Sequence, residues 1–279
     1  MKMKKFLIIP FIVLLIFGIE AKTSPEEDLT DFRNHFKELF PNTPFSDFAN
    51  GVYSIDKSSR EQWESIEDFP PYEINIENGE ELFNEPFKNG NKYASCFENG
   101  GIGIRQNYPY FDENKNKIIT LELAINNCRK KNNEKPLNYY KGGDMADISA
   151  YMAYTSRGNI INIEIPNNME ALDAYEAGKR LYFTKKGQLN FSCADCHVWK
   201  SGTKLRADIT SPGIGHPTHF PVYRSVAGRL VTLHERYAGC LNRIRAKPYK
   251  GQSAEYRNLE YFMTFMSNGL EINGPGSRK

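Results

Sequence analysis

The chain repeats itself, and this repeat limits its fold more than any other feature. Thr120-Leu121 stands eight residues before Cys128, and Thr232-Leu233 stands eight residues before Cys240. Lys135-Pro136 ends eight residues after Cys128, and Lys247-Pro248 ends eight after Cys240. A helical pattern follows each, Ile148 to Ser156 and Leu259 to Ser267, and Gly158 or Gly269 supplies a helix stop. Upstream, Gly79-Glu80-Glu81-Leu82-Phe83 precedes Cys96 much as Gly178-Lys179-Arg180-Leu181-Tyr182 precedes Cys193. Matches in the same order, two of them at equal spacing, predict two copies of one mainly α-helical domain. The boundary falls near Arg157 to Pro166, which divides the chain into a 76–160 domain and a 161–279 domain.

The remaining segments are a leader and an extension. Lys2, Lys4 and Lys5 form a basic start, Phe6 to Gly18 is almost unbroken apolar sequence, and Ala21 ends a cleavage site. The apolar run is short for the roughly 20 residues a spanning helix needs, and Pro10 interrupts it. Residues 1–21 therefore read as a secretory signal, and no later segment is apolar enough to span a membrane. Loss of Lys2, Lys4, Lys5 and Glu20 from 36 basic and 34 acidic residues leaves 33 of each. A neutral chain argues against nucleic-acid binding through bulk charge. The 13% aromatic content excludes wholesale disorder. Residues 22–75, broken by Pro25, Pro41, Pro44, Pro70 and Pro71, are expected to form a surface extension with one short helix around Asp28 to Phe40. Strand-like alternation is confined to Ile160 to Ile165. Met169, Leu172, Tyr175, Ala177, Leu181 and Tyr182, and later Leu259, Phe262, Met263 and Met266, follow helical spacing and read as core faces.

Five cysteines carry the chemistry. Cys193-Ala194-Asp195-Cys196-His197 is C-x-x-C-H, the attachment sequence of c-type haem. Sulfurs one helical turn apart can each bond one vinyl group of a porphyrin, and the adjacent His197 then meets the iron from the proximal side. A thioredoxin-type pair wants a βαβ context, which this sequence lacks. A zinc site wants a second ligand pair; His216 and His219 offer two nitrogens, but Pro217 and the flanking glycines mark a loop beside the haem.

The sixth iron ligand has several candidates. Met263 or Met266 would give the His/Met pair common in electron carriers. Cys240 competes, because the repeat pairs it with Cys128. The first copy has a lone Cys96 in place of the attachment motif, so Cys96 and Cys128 can close as a disulfide where a haem once sat. By the same mapping Cys240 reaches the distal side of the haem in the second copy. The bland alternative for Cys240 is a small buried hydrophobe. Arg236 lies one helical turn before Cys240, where a guanidinium lowers a thiol pKa and grips an oxyanion. The first copy has Ala124 there. Arg243, Arg245, Lys247 and Lys250 read more simply as a solvated basic face that docks an acidic partner.

These pieces resemble the SoxA family of sulfur-oxidation c-type cytochromes, in its single-haem form. The resemblance rests on Cys96-Phe97-Glu98-Asn99-Gly100-Gly101, Thr120 to Cys128, Gly143-Asp144-Met145-Ala146, the Cys193 to His197 motif, and Arg236-Tyr237-Ala238-Gly239-Cys240 running into Arg245-Ala246-Lys247-Pro248. It implies two cytochrome c-like domains in tandem, the first without haem, in a periplasmic protein that carries one c-type haem. It implies a partner, a small SoxX-like cytochrome, and oxidative conjugation of thiosulfate to a cysteine of a SoxYZ-like carrier (L-cysteine S-thiosulfotransferase activity). By motif, Cys193 and Cys196 hold the haem and His197 is its proximal ligand. Cys240 is distal ligand and reacting cysteine, often a persulfide, and Arg236 binds substrate. The competing expectation is a non-catalytic periplasmic electron carrier with His/Met ligation.

Overall fold

The computed structural model describes residues 23–205 and 207–278, so the expected leader, 1–21, lies outside the described residues. The chain opens with α1 (Pro25–Leu39), a 3₁₀ stretch over Phe45–Ser54, α2 (Lys57–Glu67) and α3 (Glu73–Asn84). A hairpin of β1 (Tyr110–Asp112) and β2 (Lys117–Ile119) feeds α4 (Leu121–Lys131), and α5 (Asp144–Tyr154) follows. Next come α6 (Met169–Phe183), the short α7 (Cys193–His197), and a small hairpin of β3 (Lys204–Leu205) and β4 (Asp208–Ile209). A second hairpin, β5 (Val222–Arg224) with β6 (Arg229–Val231), feeds α8 (Leu233–Arg243), then α9 (Ala254–Phe265) and β7 (Gly276–Arg278).

The repeat is carried position by position. β1 pairs antiparallel with β2, Tyr110 opposite Ile119, as β5 pairs with β6, Val222 opposite Val231. Each hairpin is followed by a threonine, Thr120 or Thr232, at the N-terminal cap of an eleven-residue helix. Asn133 and Arg245, just beyond those helices, share a left-handed φ of 59° and 56°. In each half a first helix packs against a last one, α3 on α5 and α6 on α9. A glycine sits at both crossings. A Cβ on Gly79 would stand 2.1 Å from the Asp147 carbonyl oxygen, and one on Gly178 would stand 2.0 Å from that of Asn258. Real Cβ atoms do not approach so closely, so only glycine allows these backbones to touch.

That contact corrects one expectation. α6 buries Ala171, Tyr175, Gly178 and Tyr182 against α9, whereas Met169 and Leu172 face outward, Met169 with 76% of its surface exposed. The smallest residues mark the contact face, because helix approach and not side-chain size decides it. α9 in turn is buried on all sides from Leu259 to Phe265, so it is the central helix of its half.

The extension is also not superficial. Phe32, Phe36, Phe48 and Ala49 belong to the core of the second half, and Tyr53 and Tyr72 are buried as well. Phe32 and Phe36 lie one turn apart on α1, in edge-to-face contact at 5.0 Å between ring centroids. Tyr175 donates a 2.8 Å hydrogen bond to Asp28, which Lys179 also grips, fastening α1 to α6. The prolines break this segment into pieces, yet its aromatic residues are enough to bury them. Ile160 to Ile165 forms no strand. Ile161 and Ile163 are buried, but the segment has only one bridge, Ile160 to Glu271. The strands that do form are three residues or fewer, too short for alternation to reveal.

Where the halves meet lies a buried charged cluster. His234 Nε2 is 3.0 Å from one Glu260 oxygen, and Arg105 is 3.8 Å from the other. Glu122 adjoins them; burial, then the Glu260 charge, pushes its carboxyl pKa up.

Gly79→Ala is expected to force α3 off α5 and cost about 1–3 kcal/mol by overpacking. A thermal melt of the variant checks this, and an unchanged melting temperature would mean that the crossing has slack.

Candidate active site

The α7 turn is fixed by its own sequence. Ser192 Oγ accepts from the Asp195 amide at 3.0 Å, and Asp195 accepts from the Ser192 amide at 2.8 Å. This reciprocal cap explains the acidic residue inside the Cys193-to-Cys196 spacing and pins a helix only five residues long. Cys193 and Cys196 therefore lie one turn apart. Burial, joined by nearby Cys240 and Cys196, pushes the Cys193 thiol up to about 12. Burial, then Cys240, raises Cys196 too. The three sulfurs share one space.

His197 is held from behind. Its Nδ1 donates to the Ser211 carbonyl at 3.0 Å, so Nε2 carries the lone pair and faces forward. The loop that supplies Ser211 is seated by Gly213, whose amide donates to the His197 carbonyl at 2.8 Å. A Cβ on Gly213 would stand 2.3 Å from the Tyr182 hydroxyl. Nothing in the sequence pattern singles out Ser211, because any residue can offer a backbone carbonyl.

Cys240 comes from α8 and lies beside His197. Burial would raise its thiol pKa. The Arg236 charge one turn earlier, the His197 contact and Arg243 outweigh it and bring the thiol down to about 6. The helix thus does what the four-residue spacing requires, placing Arg236 and Cys240 on one face. Arg224, at the end of β5, is a further cation within reach of Cys240.

The remaining sequence candidates divide. The His216 ring sits edge-on to His197, 4.3 Å between centroids, and its Nε2 is 2.7 Å from Ser211 Oγ. Burial, then the neighbouring His197 and Arg236 charges, keeps its pKa well below the usual histidine range. His219 is buried against Phe220. Met263 is engaged by the Tyr237 hydroxyl at 3.1 Å, and Met266 is buried in the same core. Arg243, Arg245, Lys247 and Lys250 are exposed.

In the first half, Cys96 and Cys128 form a disulfide, S–S 2.01 Å. The adjoining interior is filled by aromatic rings. Phe83 stacks on Tyr93 at 5.6 Å, Phe87 meets Tyr93 edge-on at 4.7 Å, and Arg129 donates to the Tyr93 hydroxyl at 2.8 Å.

The SoxA/TsdA cytochrome c domain family matches residues 78–161 and 177–272. The chain belongs to this family. It is 52% identical over 266 residues to the L-cysteine S-thiosulfotransferase subunit SoxA of Allochromatium vinosum, covering 95% of this chain and 94% of the relative. It is also 52% identical over 254 residues to the subunit of that name from Chlorobaculum tepidum, covering 91% and 88%. Among solved structures, SoxXA from P. pantotrophus superposes with a TM-score of 0.71 at 30% identity, covering 80% of this chain and 84% of that one. Membership makes the chain a mainly α cytochrome of the c type. The donor set fits that haem: two thiols one turn apart, an imidazole fixed through its other nitrogen, and a third sulfur nearby.

Cys96→Ser with Cys128→Ser opens a loop with a sequence separation of 32 residues. The chain-entropy relation predicts a loss of about 3–4 kcal/mol, read as a lower urea midpoint for unfolding.

Proposed function

We propose that this chain is the catalytic cytochrome of a thiosulfate-conjugating complex in the periplasm, with one covalent haem on Cys193 and Cys196. His197 and Cys240 would ligate its iron, and Cys240 is the reacting sulfur. The observation that carries the reading is the placing of Cys240 on α8, one turn from Arg236 and beside His197 of the Cys193-to-His197 turn. An electron carrier has no need of a guanidinium beside its distal ligand; an enzyme for an anionic sulfur compound does. The names and coverage of the relatives support the same activity.

The reaction forms one S–S bond between the terminal sulfur of thiosulfate and the carrier cysteine. The carrier thiol releases one proton, and two electrons leave the new disulfide bond. The SoxXA neighbour supports a small cytochrome partner as their recipient, and the carrier is of the SoxYZ type. When bound, the haem supplies a one-electron acceptor beside the sulfur. Arg236 binds the sulfonate oxygens through its planar fork and turns the terminal sulfur towards Cys240. The Cys240 thiolate and the terminal sulfur of thiosulfate join as one S–S bond while two electrons leave to the partner cytochrome. The carrier thiol then attacks that sulfur, gives up its proton, and takes the sulfur–sulfonate group as Cys240 leaves as thiolate. The Ser211 carbonyl keeps the His197 ring from rotating. The extension 22–75 and the haem-less 76–160 domain support the 161–279 domain that holds the site. No helix among the described residues is long and apolar enough to cross a membrane.

Arg236→Lys is expected to keep haem content and lower thiosulfate turnover by roughly ten- to hundredfold, because an ammonium lacks the fork. Cys240→Met is expected to keep a low-spin haem while abolishing conjugation, since a thioether holds no transferable sulfur. Retention of normal conjugation by Cys240→Met, measured on purified complex with carrier, would place the reaction centre elsewhere. Pyridine haemochrome analysis is expected to give one haem per chain.

A further inference from the structure

Arg236, Cys240 and Arg243 lie at i, i+4 and i+7 of α8 and form one stripe of that helix. Arg224 approaches the same stripe from another element. It ends β5, which hairpins directly onto β6, and β6 passes through Thr232 into α8. Arg224 interacts electrostatically with Arg236, Arg243 and Cys240. None of the three guanidinium groups has a hydrogen-bond or ion-pair partner among the described residues. Asp208 on β4 offsets part of the Arg224 charge, but from beyond ion-pair distance. Burial, then the Arg236 and Arg243 charges, brings the Arg224 pKa down to about 10.

The repeat supplies an independent comparison. The 112 positions that separate Cys128 from Cys240 also separate Ala124 from Arg236 and Asp112 from Arg224. Both hairpins have the same register. In the first half the end of the hairpin carries a carboxylate, Asp112, bound to Lys115 at 2.6 Å. The hairpin therefore forms without an arginine at its end. Both arginines occur in the half with the free cysteine, and the half with the disulfide has neither.

Thiosulfate is a dianion with three sulfonate oxygens, and one guanidinium can neutralise only half its charge. We propose that Arg224 is a second sulfonate-binding residue. It grips the oxyanion from the β5 side while Arg236 grips it from α8, leaving the terminal sulfur free to meet Cys240. The inference rests on Cys240 being the reacting sulfur, as proposed above. Arg224 contributes charge and hydrogen bonds that persist from bound substrate to transition state, so its loss falls on KM.

The test uses the haem-loaded chain with its partner cytochrome and carrier. Arg224→Gln is expected to raise KM for thiosulfate by about tenfold or more, with kcat within about twofold and the haem spectrum unchanged. Arg224→Lys recovers part of that affinity, since an ammonium restores the charge and not the fork. Asp208→Asn, on an exposed hairpin, removes the competing carboxylate and is expected to lower KM. An unchanged KM in Arg224→Gln overturns the assignment. If Arg224→Gln does not accumulate as holoprotein, Asp208→Asn decides: a lowered KM supports the site, and an unchanged one overturns it. Cys240→Ala keeps the two questions apart, because turnover surviving that change would remove the reaction centre and not Arg224 alone.

Discussion

At Gly178 the backbone of α6 lies against the carbonyl of Asn258 with no room for a methyl group. The rest of the second half is arranged around that contact. It sets the distance at which α9 passes, and α9 then gathers Tyr175, Tyr182, Phe262 and Phe265 into one aromatic core. Tyr182 places α6 beside the α7 turn that carries the two attachment cysteines. Gly79 against Asp147 builds the same crossing in the first half. There Phe83 and Tyr93 fill the interior and a disulfide joins its edge. One backbone plan has thus been completed with rings and a covalent bond in one copy, and with the Cys193-to-His197 turn and Cys240 in the other.

Chemistry at the site depends on competition between burial and charge. Burial alone would leave every thiol protonated, as it does for Cys193. Cys240 escapes this because α8 brings Arg236 one turn away and His197 lies beside it. Two neighbouring cysteines, one pushed up to about 12 and the other down to about 6, illustrate how local charge divides thiols that share one space.

How much of this could be read in the chain varies with the size of the signal. The interval from Cys128 to Cys240 announces the equivalence of α4 and α8, because equal spacing survives divergence of the residues between. The four residues from Arg236 to Cys240 imply a common helical face for the same reason. The hairpins were not legible: three residues per strand are too few for an alternating pattern, and their pairing is settled by the chain on either side. The extension hid its role behind five prolines, although Phe32, Phe36 and Phe48 were the better guide. Large residues misled at α6, where Met169 and Leu172 face solvent while Gly178 makes the contact. Ser211, which orients His197, acts through its backbone and leaves no mark in residue type.

The charged cluster at the seam ties the fates of the two halves. Arg105 and Glu122 come from one copy, His234 and Glu260 from the other, and all four are buried. Removing either half would take a charged partner from the groups left behind and expose the apolar side chains packed around them. The first half is therefore not a dispensable appendage. A duplicated domain is free to be deleted only while its surface remains self-sufficient. Once its buried charges are balanced by its sister, evolution can reshape it but no longer remove it.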